Sequence, residues 1–256
     1  MLSIIDGDLI AYMASASVQT NENVWTGEKL ETPTYDQGAL ERAIVAAVDT
    51  WTDWSGGTSR MVCLTGARNF RKDICATYKA HRDPAAKPVG LGAAKAFMTE
   101  RYGARCVEGL EADDLIGLVL TSPLGRDGKA VAVTLDKDLA TVPGMHFRPG
   151  RDQFPHEIGE LEAYKWWFTQ TLIGDTADGY KGCPGIGKVK AAKLLEPCVT
   201  PSEMWRVVAK TFEARSTYAQ AVLQARLARI LRGDDYDKEA RRVRLWHPID
   251  PAWHQI

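Results

Sequence analysis

Carboxylates gather at four places in this chain: Asp6 and Asp8 in IIDGD, Glu108, Glu111, Asp113 and Asp114 in EGLEADDLIGLVL, Asp136 and Asp138 in TLDKDLATV, and Asp175 and Asp178 in IGDTADGYKG. Like charges this close repel and resist desolvation, so each cluster costs free energy unless a cation neutralises it. Every cluster adjoins an apolar run, which anchors the acids to a rigid element. Hard divalent cations such as Mg²⁺ take oxygen ligands and keep several waters. Two such ions roughly 4 Å apart clamp the attacking and leaving oxygens of a phosphodiester during in-line displacement. That chemistry needs carboxylates from separate elements and neither His nor Cys, which is the inventory found here. One cluster decides nothing, because a helix start attracts Glu111, Asp113 and Asp114 through its dipole and an Asp closing a strand caps a turn. Four clusters, each at an element boundary, favour a shared site.

Two basic segments complement the acids. In CPGIGKVKAAKLL, residues 183–195, Gly185 and Gly187 permit a tight hairpin before an amphipathic helix. Backbone N–H groups at that helix start suit a phosphate, and Lys188, Lys190 and Lys193 add charge for contact with a nucleic-acid backbone. A plain packing corner with solvated lysines is the alternative. In the stretch 68–92, Arg68, Arg71, Lys72, Lys79, Arg82 and Lys87 alternate with the rings of Phe70 and Tyr78. Cations with stacking rings suit a single-stranded or frayed nucleic-acid end.

The elements that must position these groups follow from periodicity. LSIID (residues 2–6), RMVCLTG (60–66), ARCVEG (104–109) and KAVAVTLD (129–136) read as strands, and residues 36–54 as a helix capped by Asp36. Further helices are expected over 93–102 and from Glu111, and residues 71–92 read as an exposed, partly mobile segment. Strands alternating with helices imply an α/β fold, a twisted and mostly parallel sheet flanked by helices. Sites in such sheets lie beyond the carboxyl ends of the strands, where Asp6 and Asp136 stand. After about residue 158 the pattern becomes helical, with ELEAYKWWFTQTLIG, KVKAAKLL and two more helices between 200 and 232.

With 256 residues and 45% apolar content, the chain can build a sizeable core. No run of 18 apolar residues occurs, and MLSIIDGD lacks the charged start and long apolar run of a secretory leader. The scattered Cys63, Cys75, Cys106, Cys183 and Cys198 include no CxxC pair, which argues against a disulfide framework and a structural zinc site. A reducing cytoplasm and no membrane partner are the expectation. The net charge of −1 excludes no nucleic-acid partner, because acidic and basic residues are segregated along the chain.

IIDGD, FRKDICATYKAHR, EADD, TLDKDLATV and GDTADGYKGCPGIGKVKAAKLL follow the order and spacing of the 5′-nuclease (flap endonuclease) superfamily. TYKAHR, KPVG, DKD, GDTADGY and ARILRGDDYDKEARRVRLWHP are similar to sequences of its compact phage 5′→3′ exonucleases. The resemblance implies a PIN/5′-nuclease-like core over residues 1–157, with an arch-like basic segment at 68–92. It also implies a helical DNA-binding part over 158–256, packed on the core, whose hairpin (182–195) is a helix–three-turn–helix, or helix-hairpin-helix, motif. It places a first metal with Asp6, Glu111 and Asp113, and a second with Asp136, Asp138 and Asp175 or Asp178, with Asp113 or Asp114 near both. The implied cofactors are two Mg²⁺ or Mn²⁺ ions, with K⁺ at the hairpin carbonyls of Gly185 and Gly187. Tyr78, Lys79 and Arg82 match the segment that holds the scissile strand, with Arg71 and Lys72 beside it.

One departure stands out: Gly66 occupies the place where relatives carry an Asp, and water or Asp8 is the expected substitute. The implied activity is 5′→3′ exonuclease action on duplex DNA or the RNA strand of a hybrid, by a monomer, in phage replication, primer removal or host DNA degradation. The host-cell cytoplasm would be its location. A structure-specific flap endonuclease is the alternative, and a non-catalytic DNA-binding protein with a crippled first metal site is another. A single-domain RNase would account for the acids but not for the hairpin.

Overall fold

Ile4 and Ile5 are wholly buried, so LSIID forms a strand covered on both faces. Each of these isoleucines contributes about 1.5–3 kcal/mol by leaving water. The computed structural model describes residues 1–22 and 26–248, and shows this strand at the centre of the molecule. In chain order the first half comprises β1 (Leu2–Asp6), α1 (Gly7–Val18), β2 (Gln19–Glu22), β3 (Lys29–Tyr35), α2 (Gln37–Trp54) and β4 (Ser59–Asn69). There follow α3 (Phe70–Ile74), α4 (Leu91–Tyr102), β5 (Arg105–Gly109), α5 (Ala112–Leu120), α6 (Pro123–Arg126), β6 (Ala130–Val133), β7 (Gly144–Phe147) and β8 (His156–Ile158). The remainder is α7 (Glu160–Ile173), α8 (Lys188–Leu195), α9 (Pro201–Glu213), α10 (Tyr218–Ala228) and a short pair, β9 (Tyr236–Asp237) and β10 (Arg242–Val243).

The main sheet has the order β5-β4-β1-β6-β7-β8 and is parallel except for β8, which runs antiparallel to β7. One apolar layer packs α1, α2 and α4 on one face through Ile10, Leu40, Ile44, Val48 and Met98. The other face is covered by α5 through Leu115, Ile116 and Leu120, joined by Ile230 and Leu231 from the far end of the chain. A third core unites α7 to α10 around Trp167, Phe168 and Phe212, and Tyr78 belongs to it. Trp246, from the LWHP motif, completes this core with its ring centroid 5.0 Å from Trp167 and 4.9 Å from Trp205. The helical part and the sheet part therefore exchange residues in both directions.

Several expectations are adjusted. β4 runs on to Asn69, and β6 ends at Val133, so Asp136 sits beyond the strand as the cap of a 3₁₀ turn. The β2–β3 hairpin and the strands β7 and β8 carry no signal that the sequence reading detected. The stretch 71–92 is not exposed throughout, because Arg71 and Tyr78 are 2% accessible. The expected helical part extends to residue 256, and residues 249–256 lie outside the described residues. Among the described residues no helix is long and apolar enough to cross a membrane.

Candidate active site

Asp6 ends β1 and caps α1, accepting the Leu9 N–H through Oδ1 (3.1 Å) and the Thr134 hydroxyl through Oδ2 (2.9 Å). The turn from strand to helix is tight because a Cβ on Gly7 would stand 2.6 Å from Val62 and 2.7 Å from the Cys63 carbonyl. α5 begins beyond β5 with Glu111 as N-cap, and Asp113 lies in its first turn. Asp136 follows β6 and accepts the Asp138 N–H (2.8 Å). These chain segments open onto one cleft of about 690 Å³, lined by Asp6, Asp8, Glu111, Asp113, Asp136, Asp138 and Asp178. Lys72, Lys79, Lys87, Lys95 and Arg82 line it as well.

Burial and mutual repulsion govern the acids. Asp6 is pushed up to about 6 by desolvation, with Asp8 and Asp136 adding to the rise against the hydrogen bonds from Leu9 and Thr134. Burial also raises Asp113 well above the carboxylate range, helped by the charges of Asp6 and Asp136. Asp138 reaches about 6 through burial and the nearby Asp136. Glu111 behaves oppositely: burial resists its charge, but Arg71 and Lys79 hold it down to about 2.

Basic residues cover several of these oxygens. Lys79 Nζ lies 2.5 Å from Glu111 Oε1 and 3.5 Å from Asp178 Oδ1, while Arg82 Nη2 donates to Asp178 Oδ1 at 2.8 Å. Lys95 Nζ faces Asp8 Oδ1 at 2.7 Å. Lys79 has φ +52°, a left-handed conformation rare for residues other than glycine, and its N–H donates to the Asp178 carbonyl (2.8 Å). The basic segment is thereby strapped to the 175–178 loop.

Other expected residues lie elsewhere. Asp114 is fully buried, and both its oxygens take the Arg71 guanidinium at 2.8 Å. It also accepts the Leu231 N–H (3.1 Å), so it does not line the cleft as a ligand. Arg71 further donates to Glu111 (3.0 Å) and to the carbonyls of Leu227 (3.2 Å) and Arg229 (2.6 Å), which leaves this guanidinium no freedom to grip DNA. Tyr78 is a buried ring that offers no stacking face, and its hydroxyl lies 3.0 Å from Glu111 Oε2 and 2.8 Å from Asp178 Oδ2. Its single proton serves one of the two at a time.

Asp175 caps its own turn by accepting the Ala177 N–H (2.7 Å) and lines the neighbouring hollow with Lys137, Lys181, Gly187 and Lys188. That hollow separates the acidic cleft from the hairpin, where Lys190 Nζ donates to the Gly185 carbonyl (3.0 Å). Sequence reasoning missed Gln170, buried on α7 and donating to Asp138 Oδ1 (2.5 Å), and Thr134 beneath Asp6. It also missed Lys95 and the half-exposed Tyr12, which line the cleft. Only the helical position of Gln170, on a face otherwise apolar, offered a signal for any of these.

Among the described residues, no three acids, histidines or cysteines stand close enough in this arrangement to cage an ion. The donor chemistry still fits hard divalent cations, since the cleft offers oxygen alone and its acids raise one another's proton affinity.

No family model matches the chain. It is similar to an exodeoxyribonuclease of Enterobacteria phage T3, with 26% identity over 288 residues covering 96% of this chain and 92% of the relative. An exonuclease of Escherichia phage T7 is likewise 26% identical over 286 residues, covering 96% and 93%. Among solved structures, the 5′-exonuclease of phage T5 with bound divalent zinc ions superposes with a TM-score of 0.65 at 13% identity, covering 89% of this chain and 88% of that one. The latter likeness establishes the shared α/β fold.

Proposed function

This chain belongs to the 5′-nuclease superfamily, and we propose that it is a divalent-metal-dependent 5′→3′ exodeoxyribonuclease. The observation that carries this reading is the single cleft in which desolvated carboxylates from separate strand ends face Lys79 and Arg82. The substrate is duplex DNA with a 5′ end, or the RNA strand of a hybrid, and the product carries a 5′-phosphate.

In this reading Asp6, Glu111 and Asp113 hold one Mg²⁺ or Mn²⁺ ion and Asp136, Asp138 and Asp178 the other. Such ions supply an activated water and neutralise charge on the phosphodiester. Lys79 and Arg82 bind the scissile phosphate, and the Lys79 ammonium stabilises the charge that builds on its oxygens. A phosphate oxygen would take the place of Glu111 as the partner of Lys79, leaving that acid free to hold an ion. Lys72, exposed at the cleft wall, contacts the strand. Asp114 and Arg71 act from behind, fixing Glu111. Asp175 fixes the loop that presents Asp178.

The segment from α7 to α8 serves as the helix-hairpin-helix grip, with Gly185 and Gly187 admitting the backbone and Lys188 and Lys190 supplying charge. Lys190 Nζ donates to the Gly185 carbonyl, and a K⁺ ion would join the carbonyls of the same hairpin beside the DNA backbone. A duplex labelled at its 5′ end, incubated with and without Mg²⁺, tests the reading. Early metal-dependent release of labelled mononucleotide is expected. A longer labelled fragment would indicate flap cutting, and binding without cleavage would overturn the catalytic reading.

A further inference from the structure

Three strand ends at the cleft deliver acids: Asp6 from β1, the Glu111–Asp113 turn behind β5, and Asp136 behind β6. β4 lies between β5 and β1 and delivers none. Its residue there is Gly66, where a Cβ would stand 2.6 Å from the Val107 carbonyl oxygen and 3.3 Å from the Glu108 Cα. The Gly66 N–H is already committed to the Leu110 carbonyl (3.0 Å). A side chain at position 66 would therefore be driven against β5.

The acid on this side comes instead from α1. Asp8 Oδ2 accepts the N–H of Thr65, the residue before Gly66, at 3.2 Å. Its Oδ1 is shut off from solvent and faces Lys95 Nζ at 2.7 Å, an ion contact without hydrogen-bond geometry. Lys95 comes from α4 and keeps 33% of its side chain exposed, so this long, flexible side chain has room to swing away. Asp8 is thus tethered through one oxygen to the strand that has no acid of its own, and its other oxygen is covered by a replaceable monovalent charge.

We infer that Asp8 is the carboxylate of the β4 side of the cleft and a ligand of the divalent cation, and that Lys95 holds its place until the ion enters. This rests on the proposed function. The exchange breaks one ion contact and forms one metal–oxygen contact, with no proton transferred. The Thr65 N–H keeps Asp8 Oδ2 in place throughout. The freed Lys95 remains in the cleft that Lys87 also lines, where a nucleic-acid phosphate is its natural partner.

The test is a Mn²⁺ titration of the full chain without DNA, followed by the paramagnetic resonance signal of the free ion. It compares the wild type with Lys95→Met, Asp8→Asn and the double variant. Asn keeps an acceptor for the Thr65 N–H, and thermal melts confirm that each variant is folded. Removing a competing charge, Lys95→Met is expected to bind Mn²⁺ tighter than wild type, by about threefold to tenfold. Asp8→Asn in the Lys95→Met background is expected to weaken binding about tenfold relative to Lys95→Met alone. Equal affinity of the double variant and Lys95→Met would overturn the inference, because Asp8 would then serve Lys95 alone. Absence of Mn²⁺ binding by every form, wild type included, would overturn the proposed function itself and the inference with it.

Discussion

Asp113 and Asp114 are neighbours in sequence and belong to opposite electrostatic regimes. Asp113 faces the cleft, where burial and the charges of Asp6 and Asp136 make ionisation costly. Asp114 points the other way and is neutralised by two bonds of 2.8 Å from Arg71. The same contrast separates whole regions. Behind the cleft runs a band of buried ion pairs, Arg71 with Asp114 and Arg229 with Asp235 (2.8 Å), where the segment after α10 meets α5. In the cleft, burial raises Asp6, Asp113 and Asp138, and the charges of neighbouring acids add to the rise. A carboxylate with a dedicated guanidinium is architecture, whereas a bank of desolvated carboxylates without one is prepared for a cation that comes and goes.

The comparison breaks most sharply on this adjacent pair. Asp113→Asn removes a carboxylate proposed to hold an ion, so hydrolysis is expected to fall about a thousandfold or more, and it removes a repelling charge, so the metal-free melting temperature holds or rises. Asp114→Asn leaves a buried guanidinium short of its counter-charge, and a loss of about 3–5 kcal/mol in folding stability is expected. Denaturant unfolding and single-turnover cleavage, measured on both variants, separate the two effects. If Asp113→Asn were the more destabilising of the two, the division between working and structural acids would be wrong.

The sequence reached the cleft further than the band. Asp6 and Asp136 are legible because each follows a short apolar run, with Asp138 beside the latter, and helix 36–54 is legible because Leu40, Ile44 and Val48 repeat on one face. The role of Asp114 is not local: Arg71 lies 43 residues away and the Leu231 N–H 117 residues away, and the helix-dipole argument treats Asp113 and Asp114 alike. Tyr78 misled for a similar reason. An aromatic between lysines reads as a stacking platform until the third core closes over it. The strands β7 and β8 have four and three residues, too few for alternation to register. Gln170 and Lys95 reach the acids from helices remote in sequence, and only tertiary packing brings them there.

Gly66 sharpens the comparison at the cleft rim by a smaller amount. Gly66→Ala places a methyl group against the β5 backbone, 2.6 Å from the Val107 carbonyl. Overpacking of that kind costs about 1–3 kcal/mol, which lowers the melting temperature by roughly 2–4 °C per kcal/mol in a chain of this size. Gly66→Asp is expected to share the penalty without adding a ligand, because its side chain starts toward β5. A Gly66→Asp variant that melts like the wild type and binds Mn²⁺ more tightly would show that β5 yields and that the strand end accepts an acid after all.

The last effect is a pH dependence whose sign differs between the two kinds of acid. Asp6 and Asp138 titrate near 6 in the folded protein, above the ordinary carboxylate value, so the folded state binds more protons than the unfolded state between about pH 4 and 6. Stability of the metal-free protein therefore falls as pH rises through that window, by about 3 kcal/mol for the buried Asp6 and less for the partly exposed Asp138, and Asp113, also raised, adds to the fall. Glu111, held near 2, contributes in the opposite sense: its stabilisation is complete above about pH 4.5 and is lost as pH falls toward 2. Melting curves in chelator from pH 3 to 8 should accordingly peak near pH 4 to 5 once compared with Asp6→Asn/Asp138→Asn, whose falling limb is shallower. Mn²⁺ binds the deprotonated acids, so it should raise the melting temperature more at pH 7.5 than at pH 5. A wild type that gains stability from pH 4.5 to 7 in chelator, in parallel with the double variant, would mean that the cleft acids carry no stored repulsion and that nothing in them awaits a cation.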